Sequence, residues 1–291
     1  NNKRPATIMP KITHTATIER LSHEGRGITH VDGKTVFVHG ALPGETVHFS
    51  YRRSRGSFDE GDVLKVLEAA PERVPAECPH FDVCGGCSLQ HMTHNSQIKH
   101  KQESLSNLLQ HQAKTTPQQW LPPLTKKLWG YRHKARLSVH YAAKKNKVLV
   151  GFRERNGRFV ADITQCHILH PSVGKHLSSI SECLIQLQAR DTIPQIEVVI
   201  DDNTTALIIR HLKPLCEDDL QQLKALAQQR QYRLYLQPND PDNIQLHWPE
   251  TGCDMMQYTL PTYNVTLQFH PKHFIQINPC VNQAMIEQAI A

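Results

Sequence analysis

Hydrophobic and polar residues alternate with a period of two in several short runs near the start of the chain. Such runs cover residues 12–18, 34–38 and 47–51, and a shorter apolar run covers 62–67. Glycine turns separate them, at Glu24–Gly27 and at Leu42–Glu45. About five short strands in such a small stretch predict a closed β-barrel of the OB type.

The pattern changes after residue 70. Residues 69–75 contain two prolines and have the composition of a linker. From Met92 to about Gln112 the apolar residues fall on one face of a predicted helix whose other face is very polar. A narrow stripe usually packs within its own domain, but we expect this helix to pack poorly against the rest of the chain, because its partner would lie in a domain that this chain lacks. The stripe consists of Ile98, Leu105, Leu108 and Leu109.

The remaining sequence alternates predicted strands with a helix. The predicted strands cover residues 135–141, 148–152, 159–163, 196–200, 206–210, 233–237 and 265–269, and Leu220–Ala227 marks the helix. The expected fold class is therefore α+β, with an OB-type barrel followed by a mixed α/β central domain. We place the barrel in residues 1–70 and the central domain in 71–270.

Length and composition suit an ordinary globular protein. The chain has 291 residues, of which 39% are hydrophobic. The sequence contains no apolar run of the roughly 18 to 20 residues that a membrane helix needs, and its first residues do not form a secretory signal. We expect a cytoplasmic location. Asn1–Pro5 read as a tag remnant or a trimmed start, and we assign no structure to residues 1 to about 10.

Positive charge is concentrated in one window, from Lys126 to Arg158. The window holds eleven Lys or Arg residues and one acid, Glu154, for a net charge of +10. Since the whole chain carries +6, the remainder is net negative, at −4. This asymmetry predicts one anion-binding surface, with nucleic acid as the natural partner. A solvated charged face is the alternative.

Five residues of this window are candidates for RNA contact. Arg132, Lys134 and Arg136 alternate along a predicted strand, so their side chains project from one face and can follow phosphates. Phe152 beside Arg153 offers a plane on which an unpaired base can stack. A core position for Phe152 is the equally reasonable alternative.

Three of the eight cysteines form a cluster in the sequence. Cys78, Cys84 and Cys87 have the spacing C-x5-C-x2-C, and two glycines lie between the second and third. These glycines let the backbone curl around a bound centre and donate N–H groups to sulfur. Cys166 is our choice as fourth ligand, at the end of a predicted strand.

Four thiolates suit either a [4Fe–4S] cluster or tetrahedral zinc. Three ligands on one loop with one distant cysteine favour the cluster, whereas zinc sites usually pair two ligands with two. Unliganded buried cysteines are the third interpretation. The expected role of a cluster is structural, because its binding free energy becomes folding free energy.

These motifs together resemble the bacterial 23S rRNA uracil-5 methyltransferases that carry a [4Fe–4S] cluster. His23–Ile28, Gly33–Val38 and Gly40–Glu45 are similar to a TRAM domain, and Cys78–His91 with Cys166 is similar to the family's cluster ligands. Tyr131–Ser138 and Val150–Arg153 look like its central strands, and Phe274–Asn278 looks like the segment that leads into its methyltransferase domain.

The resemblance implies methyl transfer from S-adenosylmethionine to C5 of a uridine in 23S rRNA. In the family a cysteine thiolate adds to uracil C6, but that motif is not found in this sequence, so we assign no catalytic residue. Gln276 matches a position that helps bind S-adenosylmethionine. The resemblance further implies that residues 271–291 are the entry segment of the Rossmann-like methyltransferase domain. Apart from this segment, we expect that domain to be essentially absent from the chain.

Three other functions remain open at this point. A non-catalytic iron–sulfur module that binds RNA is the main alternative. A radical methylthiotransferase also joins a TRAM domain to a cluster, but its spacing is C-x3-C-x2-C. A tRNA uracil-5 methyltransferase is disfavoured, because such relatives generally lack these cysteines.

Overall fold

The computed structural model describes residues 13–240 and 242–290, so Asn1–Pro5 and Ile12 lie outside the described residues. The chain forms two compact units. The first contains residues 1–79 and 87–122, and the second contains residues 80–86 and 123–291. Within the described ranges, each helix is too short or too polar to cross a membrane.

The first unit is a six-stranded sheet followed by one helix. The strands lie in the order β1-β5-β6-β4-β3-β2, with a parallel β4–β6 pair and otherwise antiparallel pairs. The elements are β1 (Thr13–Thr17), β2 (Arg20–Leu21), β3 (Gly27–Val31), β4 (Lys34–His39), β5 (Thr46–Ser54), β6 (Phe58–Glu68) and α1 (His94–His111).

The period-two pattern explains the core of this sheet. Val36 and Val38 of β4 and Val47 and Phe49 of β5 are completely buried, while the residues between them are partly exposed. Gly61 in β6 leaves room for the Phe49 ring, because a Cβ at residue 61 would lie 2.8 Å from a ring carbon. One face of each strand therefore supplies the packed interior.

The segment expected to be a linker is anchored to the first sheet. The buried Glu45 carboxylate accepts hydrogen bonds from the Leu42 N–H at 2.8 Å and the Ala70 N–H at 3.2 Å. It also pairs with the Arg73 guanidinium at 2.5 Å. Burial raises the pKa of Glu45, but the hydrogen bonds from Arg73, Leu42 and Ala70 outweigh it, and the net shift is downward.

Helix α1 has no buried residue along its length. Leu105 and Leu108 are 48% and 46% exposed, and Ile98 and Leu109 are half-buried. The expectation that this helix packs poorly is therefore confirmed.

The second unit combines a six-stranded mixed sheet with a separate hairpin. The sheet order is β12-β11-β10-β9-β7-β8, and β13 pairs with β14. The elements are β7 (Lys134–Ala142), β8 (Lys147–Gly151), α2 (Pro171–Gly174), α3 (Leu177–Gln186), β9 (Gln195–Ile200), β10 (Thr205–Arg210), α4 (Glu217–Arg230), β11 (Tyr232–Gln237), β12 (Gln245–Trp248), β13 (Met256–Leu260), β14 (Val265–Phe269) and α5 (Pro279–Ile290).

Both faces of the central strands are covered. One face packs with α3 and α4 into a core that includes Leu137, Val198 and Leu223. Val199 and Ile208 face the opposite side, where they pack with residues of the hairpin. Coverage of both faces explains the unbroken apolar runs at the end of β9, Val198–Ile200, and within β10, Ala206–Ile209.

Two carboxylates at the β9–β10 turn hold the hairpin on the sheet. Asp201 accepts hydrogen bonds from the Thr204 N–H at 2.6 Å and, through its other oxygen, from the Gln257 N–H at 3.1 Å. Asp202 accepts from the Thr259 N–H at 2.7 Å. Strand β13 is therefore fixed at two alternate backbone amides.

The strand expected over residues 159–163 is wrong. This segment forms one isolated bridge, between Arg153 and Val160, and is otherwise irregular. Ala161 and Ile163 are nevertheless buried, so their apolar character reflects core packing rather than a strand. Cys166 consequently does not end a strand and lies in an irregular turn before α2.

Candidate functional site

The middle of the cysteine loop pairs with the segment that follows β8. Cys84 forms an antiparallel bridge with Glu154, and the Gly85 N–H donates to the Arg153 carbonyl at 2.9 Å. The Arg155 N–H donates to the Val83 carbonyl at 2.9 Å. The second cysteine of the motif is thus attached by backbone hydrogen bonds to the basic window.

One arginine of the basic window supports this attachment. The Arg155 guanidinium lies 4.4 Å from the centre of the Phe81 ring and donates to the Phe81 carbonyl at 2.6 Å. Phe81 itself is buried. Arg155 therefore fixes the loop by a cation–π contact and a hydrogen bond.

Both glycines of the loop are required by close approach. A Cβ on Gly85 would lie 2.9 Å from the Arg153 carbonyl oxygen, and a Cβ on Gly86 would lie 3.0 Å from the Phe152 ring. The Gly86 N–H donates to the Cys84 sulfur at 3.4 Å. This is the N–H to sulfur contact that the glycine spacing predicts, and a contact of this kind favours the thiolate form of a cysteine.

Cys166 lies in a tight turn of the same unit as Cys84. Its N–H donates to the Gly174 carbonyl at 2.8 Å, and a Cβ on Gly174 would lie 2.4 Å from the Cys166 carbonyl oxygen. Both cysteines are partly buried against the core that Leu137 shares with α3 and α4. The backbone N–H of Thr164 donates to the Nε2 atom of His80 at 3.2 Å.

The four candidate cysteines are divided between the two units. Cys78 and Cys87 belong to the first and Cys84 and Cys166 to the second. The Cys78 N–H donates to the Gln90 side-chain oxygen at 3.1 Å. In the part of the chain that the structure describes, no group of three or more His, Cys, Asp or Glu residues lies close enough together to hold a metal ion.

The cations of β7 have unequal surroundings. The Lys134 ammonium donates to the carbonyls of Pro271 and His273, both at 2.7 Å, and lies 3.4 Å from Glu197. The Arg136 side chain is 70% exposed, with Glu197 at 4.0 Å. Because Lys134 is occupied by carbonyls, it does not fit the expected role of following phosphates, whereas Arg136 does.

Arg132 and Phe152 are also partly enclosed. The Arg132 backbone pairs with the Ile168 carbonyl at 2.9 Å and with the His170 N–H at 3.1 Å, and its buried Nε has no hydrogen-bond partner in the described chain. The Phe152 ring packs against the core and over Gly86. Phe152 is thus partly buried, which favours its core alternative over an exposed stacking plane.

The turn beyond Phe152 is much more exposed. Arg153 and Arg158 are exposed, and Phe159 is 64% exposed. Phe159 was not expected to be an exposed contact residue, because residues 159–163 have the apolar pattern of a strand. The signal that identifies a turn is the pair Asn156-Gly157 between two short apolar runs.

A histidine pair lies beside the segment that contains Gln276. The rings of His133 and His170 are 5.0 Å apart, and the backbone N–H of His133 donates to the Ile277 carbonyl at 2.8 Å. Burial and then the neighbouring His170 lower the pKa of His133 to about 4, so it is neutral at pH 7. Gln276 is exposed in an irregular segment before α5.

Comparison with known proteins gives a consistent group of relatives. Residues 12–48 match the TRAM domain family. The chain is 46% identical to a 23S rRNA (uracil(1939)-C(5))-methyltransferase RlmD from Hahella chejuensis, over 97% of this chain and 63% of that protein. It is 44% identical to the protein of the same name from Legionella pneumophila strain Lens, over 97% of this chain and 65% of that protein. The chain thus spans less than two thirds of the length of these relatives.

A solved structure is similar in fold. It is the Pyrococcus abyssi tRNA (uracil-54, C5)-methyltransferase in complex with S-adenosyl-L-homocysteine, with a TM-score of 0.67 and 16% identity. The match covers 95% of this chain and 64% of that one. It contradicts the expected fold class, in which the methyltransferase domain is essentially absent, because nearly the whole chain aligns within a methyltransferase structure.

Proposed function

We propose that this chain belongs to the RlmD family of 23S rRNA uracil-5 methyltransferases and takes part in methyl transfer from S-adenosylmethionine to C5 of uridine 1939. The observation that carries the proposal is the 46% identity that extends over 97% of the chain. The aligned 282 residues extend across the cysteine loop and the basic window. The substrate partner is 23S rRNA and the location is the cytoplasm.

S-adenosylmethionine is the methyl donor in this proposal. Its support is the name of the relatives and the similar fold of an enzyme solved with S-adenosyl-L-homocysteine. We assign Gln276 to cofactor binding, since it is exposed beside α5 and available to a ligand. No catalytic residue is assigned among the 291 residues.

We further propose that Cys78, Cys84, Cys87 and Cys166 hold a [4Fe–4S] cluster. Two observations support the assignment. The C-x5-C-x2-C spacing places three thiols on one loop, and the Gly86 N–H donates to the Cys84 sulfur. These features fit a thiolate-bound centre, and zinc is the alternative metal. When bound, the group stabilises the fold.

The RNA interface is proposed to use Arg136 and Arg153 for phosphate contact. Both are exposed and lie in the window of net charge +10. Arg132 and Lys134 support the same surface from partly buried positions, and Lys134 does so by holding the carbonyls of residues 271 and 273. Phe152 supports it from the core.

The proposal is tested by mapping methylated uridines in 23S rRNA. A bacterial host that lacks its own enzyme for uridine 1939 is given the gene that contains this sequence, and its digested 23S rRNA is analysed by mass spectrometry. We expect 5-methyluridine at position 1939. Methylation at a different uridine, or of tRNA alone, would contradict the proposal.

The alternative of a non-catalytic iron–sulfur module predicts a different result. Such a protein would bind 23S rRNA with the salt dependence of a basic surface, but the host's uridine 1939 would stay unmodified. The same two measurements, binding and methylation, therefore separate the two functions.

A further inference from the structure

We propose that Phe159, in the turn that also carries the exposed Arg153 and Arg158, forms a stacking site for one unpaired RNA base. The inference rests on the proposed RNA-binding function and names the residues that would bind one base of a single-stranded region. Phe159 is an aromatic residue with 64% exposure. Aromatic side chains that bind single strands offer such a face, because every base can stack on a ring.

The local charge favours a nucleic acid as the occupant. Arg153 and Arg158 are exposed, and neither guanidinium forms an ion pair within the described residues. Arginines on the same turn as an aromatic ring allow one base to stack on the ring while the neighbouring phosphates of the strand meet positive charge. An uncharged apolar partner would leave both cations without a counterpart.

The backbone of this turn is held in place. The Glu154 N–H donates to the Phe159 carbonyl and the Ala161 N–H donates to the Phe152 carbonyl, both at 2.9 Å. Arg155 attaches the turn to the cysteine loop through Phe81 and Val83. Phe159 is therefore presented from a fixed turn, which reduces the entropy lost when a base binds.

The three arginines of this turn have different surroundings, which indicate different roles. Arg155 is used internally, against the Phe81 ring. Arg153 and Arg158 are left for the ligand. Through Arg155, the cysteine loop would also hold the turn that contacts RNA in position.

The test compares the RNA affinities of variants of the 291-residue chain. The probe is a fluorescein-labelled single-stranded RNA from the region around uridine 1939, and binding is followed by anisotropy at several salt concentrations. We expect Phe159→Ala to weaken binding by about 5- to 100-fold without a change in salt dependence, because the ring is uncharged. Arg153→Ala and Arg158→Ala should each reduce the salt slope by about 0.7.

Two controls make the outcome specific. Leu212→Ala removes another exposed apolar side chain of the second unit, 48% exposed, and should leave affinity unchanged. Phe159→Trp should keep the affinity, and its added fluorescence should be quenched by RNA relative to the unmodified chain, as stacking requires. The melting temperatures of the variants are compared to show that each one is folded.

The possible failures are distinguishable. If the unmodified chain does not bind the RNA, the proposed RNA-binding function fails and the inference fails with it. If the unmodified chain binds but Phe159→Ala has equal affinity, the stacking site alone is overturned. Loss of affinity in Phe159→Ala together with a smaller salt slope would also overturn it, because the lost contacts would then be ionic.

Discussion

Lys134 and Arg136 lie two residues apart on β7 and face the same side of the sheet, yet their surroundings differ. The Lys134 side chain is 14% exposed and its ammonium is surrounded by Glu197 and two carbonyl oxygens. The Arg136 side chain extends into solvent. A charged group that satisfies buried acceptors contributes to stability, whereas an exposed one remains available for a ligand.

We therefore predict opposite effects of the two alanine substitutions. Lys134→Ala should lower the free energy of unfolding by about 2–4 kcal/mol, because two carbonyls and Glu197 lose their partner. Arg136→Ala should change it by less than about 0.5 kcal/mol but weaken RNA binding. Urea denaturation and anisotropy measure the two quantities. Equal stability of the two variants would contradict the structural role of Lys134.

At the scale of elements, the first sheet and the segment after it are joined by one buried carboxylate. Glu45 follows the Leu42–Gly44 turn and binds Ala70 and Arg73 beyond the end of β6. The segment after the last strand is thereby part of the folded unit. Loss of this carboxylate would release both the turn and the segment.

We predict that Glu45→Gln destabilises the first unit by about 2–4 kcal/mol at pH 7, because Arg73 loses its ionic partner. Folding lowers the pKa of Glu45 below its ordinary value of 4.5. Its contribution is therefore complete above that value and is lost as the pH falls through the lower pKa of the folded state. Urea denaturation between pH 7 and pH 3 should show the two proteins converging at low pH. A pH-independent difference would contradict this explanation.

The strands with clear alternation or continuous apolar runs could be predicted from the sequence. Strands β7 to β11 were all expected within one or two residues of their observed ends, and α4 was expected from its apolar spacing. Helices α2, α3 and α5 and strands β12 and β13 were not expected. Helix α3 combines apolar and small polar residues without a strong start signal, and β12 has only four residues.

The candidate site could be predicted only in part, because sequence spacing does not give side-chain surroundings. The N–H to sulfur contact of Gly86 was expected from the glycine spacing. The close approach of Gly85 to Arg153 and of Gly86 to Phe152 was not expected, because these neighbours come from a distant part of the chain. Lys134 and Arg136 are indistinguishable by alternation, and only tertiary contacts with residues 271 and 273 separate them. Phe152 rather than Phe159 was expected to be exposed for the same reason. Both residues are next to arginines in the sequence, but Phe152 packs against the core and Phe159 is exposed.

At the scale of the whole molecule, charge and cysteines are distributed unevenly. The window from Lys126 to Arg158 has a net charge of +10, while the remainder of the chain is at −4. The loop between Cys87 and Cys166 contains that entire window. A centre bound by both ends of this loop would restrict the unfolded chain and so favour the folded state.

We predict that protein purified without oxygen is brown and contains about four irons per chain. Cys84→Ser should lower the iron content and the melting temperature together, because metal binding contributes to folding. Cys253→Ser is the matched control, since this cysteine is exposed and outside the motif. Elemental analysis and thermal melting provide the measurements. One zinc per chain, or equal iron in both variants, would contradict the cluster.

The two aspartates of the β9–β10 turn also determine the register of the final hairpin. They bind the amides of residues 257 and 259, which point to the same side of β13. A shift of β13 by one residue would take both amides away from their acceptors and turn Met256, now 1% exposed, towards solvent. Insertion or deletion of a single residue within this strand should therefore lower the stability of the unit in two ways, through lost hydrogen bonds and through exposure of Met256.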